Sequence, residues 1–82
     1  MIKTYFIVGE FLNLLKQNKI EVGTRILKKR FYKALSDFLY EKKIASRSAV
    51  RYYYLTLLEL EFIEEEQDPL TGTVYVRILK LP

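Results

Sequence analysis

Residues 46–63 read SRSAVRYYYLTLLELEFI and combine a helix-capping residue with an apolar repeat. Ser46 is a good N-cap, because its side-chain oxygen can accept a hydrogen bond from a free N–H group of the first helical turn. Val50, Tyr54 and Leu57 share one face of the helix that follows, with Tyr53 at its boundary. The stretch therefore predicts an amphipathic helix, and its opposite arc carries Ser48, Arg51, Tyr52, Leu55, Thr56 and Glu59.

Two strand-like segments come after this helix and are joined by a turn signal. Residues 62–67 form the first segment, and residues 73–79 form the second, where apolar and polar positions alternate. The connection from Asp68 to Gly72 has Pro69 at a turn position and glycine at its exit. The pattern predicts a β-hairpin near the end of the chain.

The first part of the chain predicts one helix and one short strand. Apolar residues crowd a broad face over residues 4–17, with Thr4 as the candidate N-cap and Asn18 as the stop. The alternating segment of residues 20–22 is the candidate strand.

A second amphipathic segment covers residues 25–43. Its apolar stripe is narrow enough for one helical face and contains Leu27, Phe31, Ala34, Leu35 and Phe38. The stripe keeps its phase through Ser36, which slightly favours one long helix. However, Ser36 and Asp37 could also cap a separate helix and divide the segment in two.

This order of helix, short strand, helix, helix and hairpin resembles that of winged helix-turn-helix domains. Members of that family often carry the pattern S-x-S-T-V-x-x-x-L-x-x-L-x-x-L-G-L-I at the recognition helix and the entry to the wing. The matching positions here are Ser46, Ser48, Ala49, Val50, Tyr54, Leu57, Leu60, Glu61, Phe62 and Ile63. Glu61 stands where the family usually has glycine, and the turn of residues 43–45 also lacks glycine.

The resemblance implies an α+β fold, a winged helix-turn-helix of three or four helices with a C-terminal β-hairpin wing. One domain would cover residues 1–82, with an N-terminal helix at 1–18, a helical helix-turn-helix region at 24–60 and a wing at 62–80. The resemblance is nearest to compact regulators of archaea and of their viruses and plasmids. Few Asn and Gln beside many Lys, Glu, Ile and Tyr also resemble the composition of thermophilic proteins.

The resemblance also implies a DNA-binding surface. Side chains near the N-terminus of a recognition helix meet base edges in the major groove, and here these are Arg47, Ser48, Arg51, Tyr52 and, farther along, Thr56. A phosphate contact is favoured for Arg47, whereas Arg51 suits guanine and phosphate equally. Lys42 and Lys43, in the turn before the helix, are expected near the DNA backbone. For Lys28, Lys29, Arg30 and Lys33, a solvated face is favoured over an extension of this positive field.

Composition argues against enzymatic chemistry. The 82 residues include no cysteine and no histidine, so thiolate nucleophiles and Ser-His or Cys-His arrangements are excluded. No acid–base pair, phosphate-binding loop or metal-ligand cluster is visible. We therefore expect a protein that is not an enzyme and has no cofactor or metal, and nothing specifies a pocket for a small molecule.

Charge is unevenly distributed along a chain of net charge +4. Residues 16–51 contain eleven lysines and arginines against three acids, a charge pattern that suits a polyanionic partner and a solvated helix face equally well. Residues 59–68 contain six acids and no base, and only Arg77 is expected to oppose those of the wing. Because such acids repel DNA, we expect the helix rather than the wing to dominate DNA binding.

No apolar run approaches the roughly 20 residues of a membrane span, and the apolar start is too short for a signal peptide. We expect a cytoplasmic protein without a membrane partner, associated with the nucleoid or, if viral, located in the host cytoplasm.

Two expectations concern partners. The N-terminal segment has more apolar residues than one small core needs, which favours a homodimer over simple completion of the core. These residues are Ile2, Tyr5, Phe6, Phe11, Leu12, Leu14 and Leu15.

The favoured function is a sequence-specific double-stranded DNA-binding transcriptional regulator, a repressor rather than an activator. The alternative is a winged-helix protein-interaction module, supported by the acidic wing and by apolar Leu55 and Leu58 beside Tyr52.

Overall fold

A computed structural model describes residues 2–44 and 46–82 and, for Ile2 and Lys3, the backbone alone. The described residues form three helices and one three-stranded antiparallel sheet. The elements, in chain order, are α1 (Ile2–Gln17), β1 (Arg25–Leu27), α2 (Lys28–Glu41), α3 (Arg47–Glu59), β2 (Ile63–Gln67) and β3 (Val74–Ile78). This small α+β arrangement is compatible with the winged helix expected from the sequence.

The C-terminal hairpin is confirmed, and its second strand is the centre of the sheet. The strand order is β1-β3-β2. Val76 of β3 therefore pairs with Ile26 of β1 on one side and with Glu65 of β2 on the other. Val76 and Ile78 are fully buried, which explains the alternation along β3. At the hairpin turn, Gly72 has a φ of 76°, a left-handed conformation that glycine adopts without a steric penalty.

The short strand lies later than the sequence predicts, at Arg25–Leu27 instead of residues 20–22. β1 pairs with the edge of β3 that β2 leaves open. The first hydrogen bond of this pairing runs from the Ile78 N–H to the Thr24 carbonyl, at 2.9 Å. The prediction that residues 25–27 are helical is therefore wrong, and α2 begins at Lys28. Leu27, assigned to the helical stripe, is 38% exposed.

Helix α2 is continuous through Ser36 and Asp37, as the preserved phase of its stripe indicates. Its buried residues are Phe31, Leu35 and Leu39, whereas Ala34 is exposed. Asp37 pairs with Lys33 on the outer face, at 3.3 Å, and caps nothing.

The predicted start of α3 is confirmed, and that of α1 is wrong. Ser46 accepts a hydrogen bond from the Ala49 N–H at 3.1 Å, so it caps α3 as expected. Thr4 lies inside α1 rather than at its cap, because α1 begins at Ile2. The stop at Asn18 is confirmed.

All three helices end in the same way, with a non-glycine residue in the left-handed region. Lys19, Lys43 and Glu61 have φ values of 65°, 65° and 63°. Each is followed by an apolar residue whose N–H donates to a carbonyl five residues earlier: Ile20 to Leu15, Ile44 to Leu39 and Phe62 to Leu57, at 3.0, 2.9 and 3.0 Å. This is the Schellman motif. Glycine is therefore not needed for the left-handed backbone that the family pattern places at position 61.

The core lies between the helices and one face of the sheet. Phe11 of α1 is its centre, with ring centroids 5.6 Å from Phe31 and 5.4 Å from Phe38. Tyr54 of α3 joins the cluster through Phe31, at 6.0 Å. The buried apolar residues are Ile7, Val8, Phe11, Leu12, Leu15, Phe31, Leu35, Leu39, Val50, Tyr53, Tyr54, Leu57, Ile63, Val76 and Ile78. This packing fixes which faces of α2 and α3 remain outside.

Candidate nucleic-acid interface

Burial of one face of α3 determines which side chains it presents to solvent. Val50, Tyr54 and Leu57 lie in the core, and Tyr53, expected at the boundary, is also buried. The outer face carries Ser48, Arg51, Tyr52, Leu55 and Glu59. Because the bases lie in the first half and Glu59 in the last turn, the N-terminal half is the part suited to an anionic partner.

The site residues predicted from sequence fall into two groups. Arg47, Ser48 and Arg51 are exposed near the start of α3, and Lys42 and Lys43 are exposed in the turn before it. Tyr52 and Thr56 lie on the side toward α1.

Tyr52 is 53% exposed, and its hydroxyl lies 3.5 Å from the Thr4 hydroxyl. Thr56 is partly buried, and its hydroxyl donates to the Tyr52 carbonyl at 2.8 Å. Because this hydroxyl proton is used within the helix, Thr56 is less suited to a partner contact than Arg47 or Arg51.

An open groove of about 610 Å³ lies between α2 and α3. Arg47 and Arg51 form one wall, and Tyr32, Ser36 and Tyr40 of α2 form the other. The sequence-based prediction of the site does not include these three residues. Their four-residue spacing, which places them along one side of a helix, was a visible signal.

Two neighbouring lysines differ in their charge environment. The Lys42 ammonium is 2.7 Å from Glu10 of α1, so this side chain helps to dock the turn onto the first helix. Among residues 2–44 and 46–82, no acid lies within ion-pair distance of Lys43, Arg47 or Arg51. Lys43, Arg47 and Arg51 thus form one group of bases without acidic partners where the turn enters α3; within the described residues, Lys29 and Arg30 at the start of α2 also have none.

The acids of β2 are neutralised more fully than the sequence suggests. Arg77 of β3 contacts Glu66 at 2.5 Å and Glu64 at 3.7 Å, as its position predicts. The expectation that only Arg77 opposes these acids is wrong, because two further bases come from outside the hairpin. Arg25 of β1 contacts Glu66 at 3.3 Å, and Lys28 at the start of α2 contacts Glu65 at 2.9 Å.

One hydrogen bond connects the wing directly to α3. The Tyr54 hydroxyl donates to Glu65 at 2.5 Å, and the Lys28 ammonium lies 5.4 Å from the centre of the Tyr54 ring. Burial, and then the bond to Glu65, raises the pKa of Tyr54 far above its ordinary value. The same bond, followed by that from Lys28, lowers the pKa of Glu65. Tyr54, Glu65 and Lys28 therefore join α3, β2 and α2 through partly buried polar groups.

A second polar pair, Glu66 and Arg77, joins β2 to β3. The hydrogen bond from Arg77 lowers the pKa of Glu66, and the bond to Glu66 raises the pKa of Arg77. Both side chains remain accessible to water, so this pair neutralises charge on the sheet but adds little to the free energy of unfolding.

The N-terminal apolar residues are divided between core and surface. Phe11, Leu12 and Leu15 complete the core. Tyr5 and Phe6, by contrast, are 61% and 62% exposed, and Leu14 is 37% exposed. The side chain of Ile2 lies outside the described residues, as does the predicted turn residue Ala45.

Comparison of the chain with protein-family models, curated proteins and solved structures gives no match. In the described part of the chain, no helix combines the length and apolar character needed to cross a membrane.

Proposed function

We propose that the chain is a winged helix-turn-helix protein that binds double-stranded DNA through α3 and regulates transcription. Helix α3 enters the major groove with its N-terminal half, where Arg47, Ser48 and Arg51 meet base edges or phosphates. Lys43 contacts the DNA backbone beside the helix. The simplest regulatory role for such a binding surface is that of a repressor, because occupying a promoter requires nothing more than binding.

The order of the elements supports this proposal. A helix, a short strand, two helices and a hairpin follow one another as in the winged helix family that residues 46–63 resemble. The single observation that carries the proposal is the solvent-facing, unpaired positive charge at the start of α3. Double-stranded DNA matches that charge and accepts a helix about 10–12 Å wide in its major groove.

The test is fluorescence anisotropy of a labelled duplex over a salt series from about 50 to about 200 mM. We expect the logarithm of the association constant to fall linearly with the logarithm of the salt concentration. Arg51→Gln should weaken binding by at least about five-fold, and a lost phosphate contact would also reduce the salt slope by about one. Selection from a random duplex library should then enrich one sequence motif.

Arg30→Gln is the matched control, because it removes the same charge from an exposed arginine of α2 that does not line the α2–α3 groove. It should change the affinity by less than about two-fold, since distant surface charges act weakly at moderate salt. Absence of duplex binding by the wild-type protein at low salt would refute the proposal. Equal losses in both variants would remove α3 as the binding element.

A homodimer fits this function, because two-fold operators pair with two-fold proteins. Its support is the exposed pair Tyr5 and Phe6 on α1, which the core of one copy does not use.

A protein-interaction module is the alternative function, and one observation favours it. Leu55 is 46% exposed on the outer face of α3, next to Tyr52. A stoichiometric protein partner, recovered with wild type and lost with Leu55→Ser, together with absent duplex binding, would select this alternative.

A further inference from the structure

The groove between α2 and α3 has the composition of a ligand site. Its volume of about 610 Å³ lies within the range of roughly 300–1,000 Å³ that small-molecule sites occupy. Ile44 and Val50 supply apolar lining, and Tyr32 and Tyr40 supply aromatic rings. Such surfaces suit a ligand with a planar apolar body.

Charge on one wall restricts the ligand further. Arg47 and Arg51 are four residues apart on α3, so their side chains leave the helix on one side, with Cβ atoms roughly 5–6 Å apart. Neither has an acidic partner within the described residues. Two arginines whose side chains start this close together can both reach one carboxylate or phosphate and donate several hydrogen bonds to it.

The opposite wall supplies an available aromatic ring. Tyr40 is 71% exposed, and no aromatic ring of the described residues stacks on it. Tyr32, by contrast, is fixed against Tyr54 at a centroid distance of 4.8 Å and forms a rigid part of the wall. A planar ring can therefore stack on the exposed Tyr40 ring of this wall while its acidic group points toward the arginines of the other.

We infer that the α2–α3 groove binds a small planar aromatic anion, such as an aromatic carboxylate, and that this ligand competes with DNA for Arg47 and Arg51. The ligand site depends only on the groove, whereas the competition rests on the proposed function. Bound ligand neutralises the charge at the start of α3 and blocks its approach to the duplex. The groove thereby makes the DNA-binding surface sensitive to a metabolite.

The binding test uses 2-naphthoate and follows backbone amide shifts by NMR. We expect shifts concentrated on the groove residues and a dissociation constant below about 1 mM. Neutral 2-naphthalenemethanol and the non-aromatic anion cyclohexanecarboxylate should bind at least about five-fold more weakly, because each lacks one of the two features. Arg47→Gln and Tyr40→Ala should weaken naphthoate binding by a similar factor, and Arg30→Gln should leave it unchanged.

The competition test uses duplex anisotropy with added naphthoate. Naphthoate should release the duplex from the wild-type protein, and Tyr40→Ala, which keeps both arginines, should need about five-fold more naphthoate for the same release. No shifts, shifts elsewhere on the surface, or equal binding of all three compounds would overturn the ligand site. Naphthoate binding in the groove of a protein that binds no duplex would support the site and refute both the competition and the proposed function. Unchanged duplex binding at saturating naphthoate would overturn the competition alone.

Discussion

Replacement of Glu61 by glycine should stabilise the protein. Glu61 has a φ of 63°, and a left-handed conformation costs an L-residue roughly 1–2 kcal/mol because Cβ approaches the following carbonyl oxygen. Glycine removes this cost but loses about 0.5–1 kcal/mol through its greater freedom in the unfolded chain. Taken near the middle of both ranges, the net gain is about 0.5–1 kcal/mol in the free energy of unfolding.

The magnitude applies here because little else changes with the side chain. Glu61 is exposed, and no base of the described residues pairs with it. The two backbone bonds of the motif, from Glu61 N–H to the Leu58 carbonyl and from Phe62 N–H to the Leu57 carbonyl, are available to glycine as well. Phe62 still packs against the core after the substitution.

The assay is thermal and urea unfolding followed by circular dichroism at the helical signal. For a domain of this size, the expected gain corresponds to a rise in Tm of about 2–8 °C. Glu61→Ala is the control, because it removes the carboxylate but keeps Cβ, and it should gain almost nothing. If Glu61→Gly is no more stable than Glu61→Ala, the left-handed closure of α3 is refuted.

Three further predictions address the wing, its charges and the proposed dimer. Tyr54→Phe removes the hydroxyl that donates to Glu65 and should cost about 1 kcal/mol in urea unfolding, since the carboxylate is partly solvated; no loss would contradict this bond. The pKa of Glu65 is lowered in the folded protein, so its stabilising contribution is present above its unfolded pKa of about 4.3 and is lost as the pH falls through its lower folded value. Urea unfolding from neutral to acidic pH should therefore show a smaller acid loss in Glu65→Gln, and an unchanged loss would refute the assignment. Phe6→Ser should convert a wild-type dimer at high micromolar concentration into a monomer in light scattering, and a monomeric wild type would remove the dimer proposal.

The elements specified by local signals were predictable from sequence. The N-cap at Ser46 and the turn from Asp68 to Gly72 act over a few residues, and each is followed by apolar residues at the appropriate period. The outward position of Tyr52 and the buried position of Tyr54 follow from the same helical phase. Residues 46–63 and the hairpin are therefore well defined by sequence alone.

Strand β1 was misplaced because its conformation depends on a distant partner. Arg25–Leu27 has no strand pattern of its own, since Leu27 and Phe31 fit the helical repeat that follows. Pairing of Ile26 with Val76 fixes this segment as a strand, and the sequence does not show that β3 has a second free edge.

The groove and the charge pairs were missed for the same physical reason. The spacing of Ser36 and Tyr40 was visible, but the groove exists only because α3 packs beside them with Arg47 facing them. Likewise, Lys28 and Glu65 are far apart in sequence and meet only when β2 lies against the start of α2. A helical or strand pattern shows which side of an element is polar, whereas the neighbouring element decides what that polar side contacts.

This pairing changes the electrostatic argument for the proposed DNA interface. Three acids of β2, Glu64, Glu65 and Glu66, face three bases, so at a Debye length of about 8–10 Å the cluster exerts little net repulsion on a distant phosphate. The same pairing withdraws Lys28 from the positive field suggested by the sequence. Arg47 and Arg51 have no acidic partner, so the side of α3 that borders the groove keeps its attraction for an anion. The proposed binding of a polyanion and the proposed binding of a small aromatic anion would therefore use the same two arginines and compete.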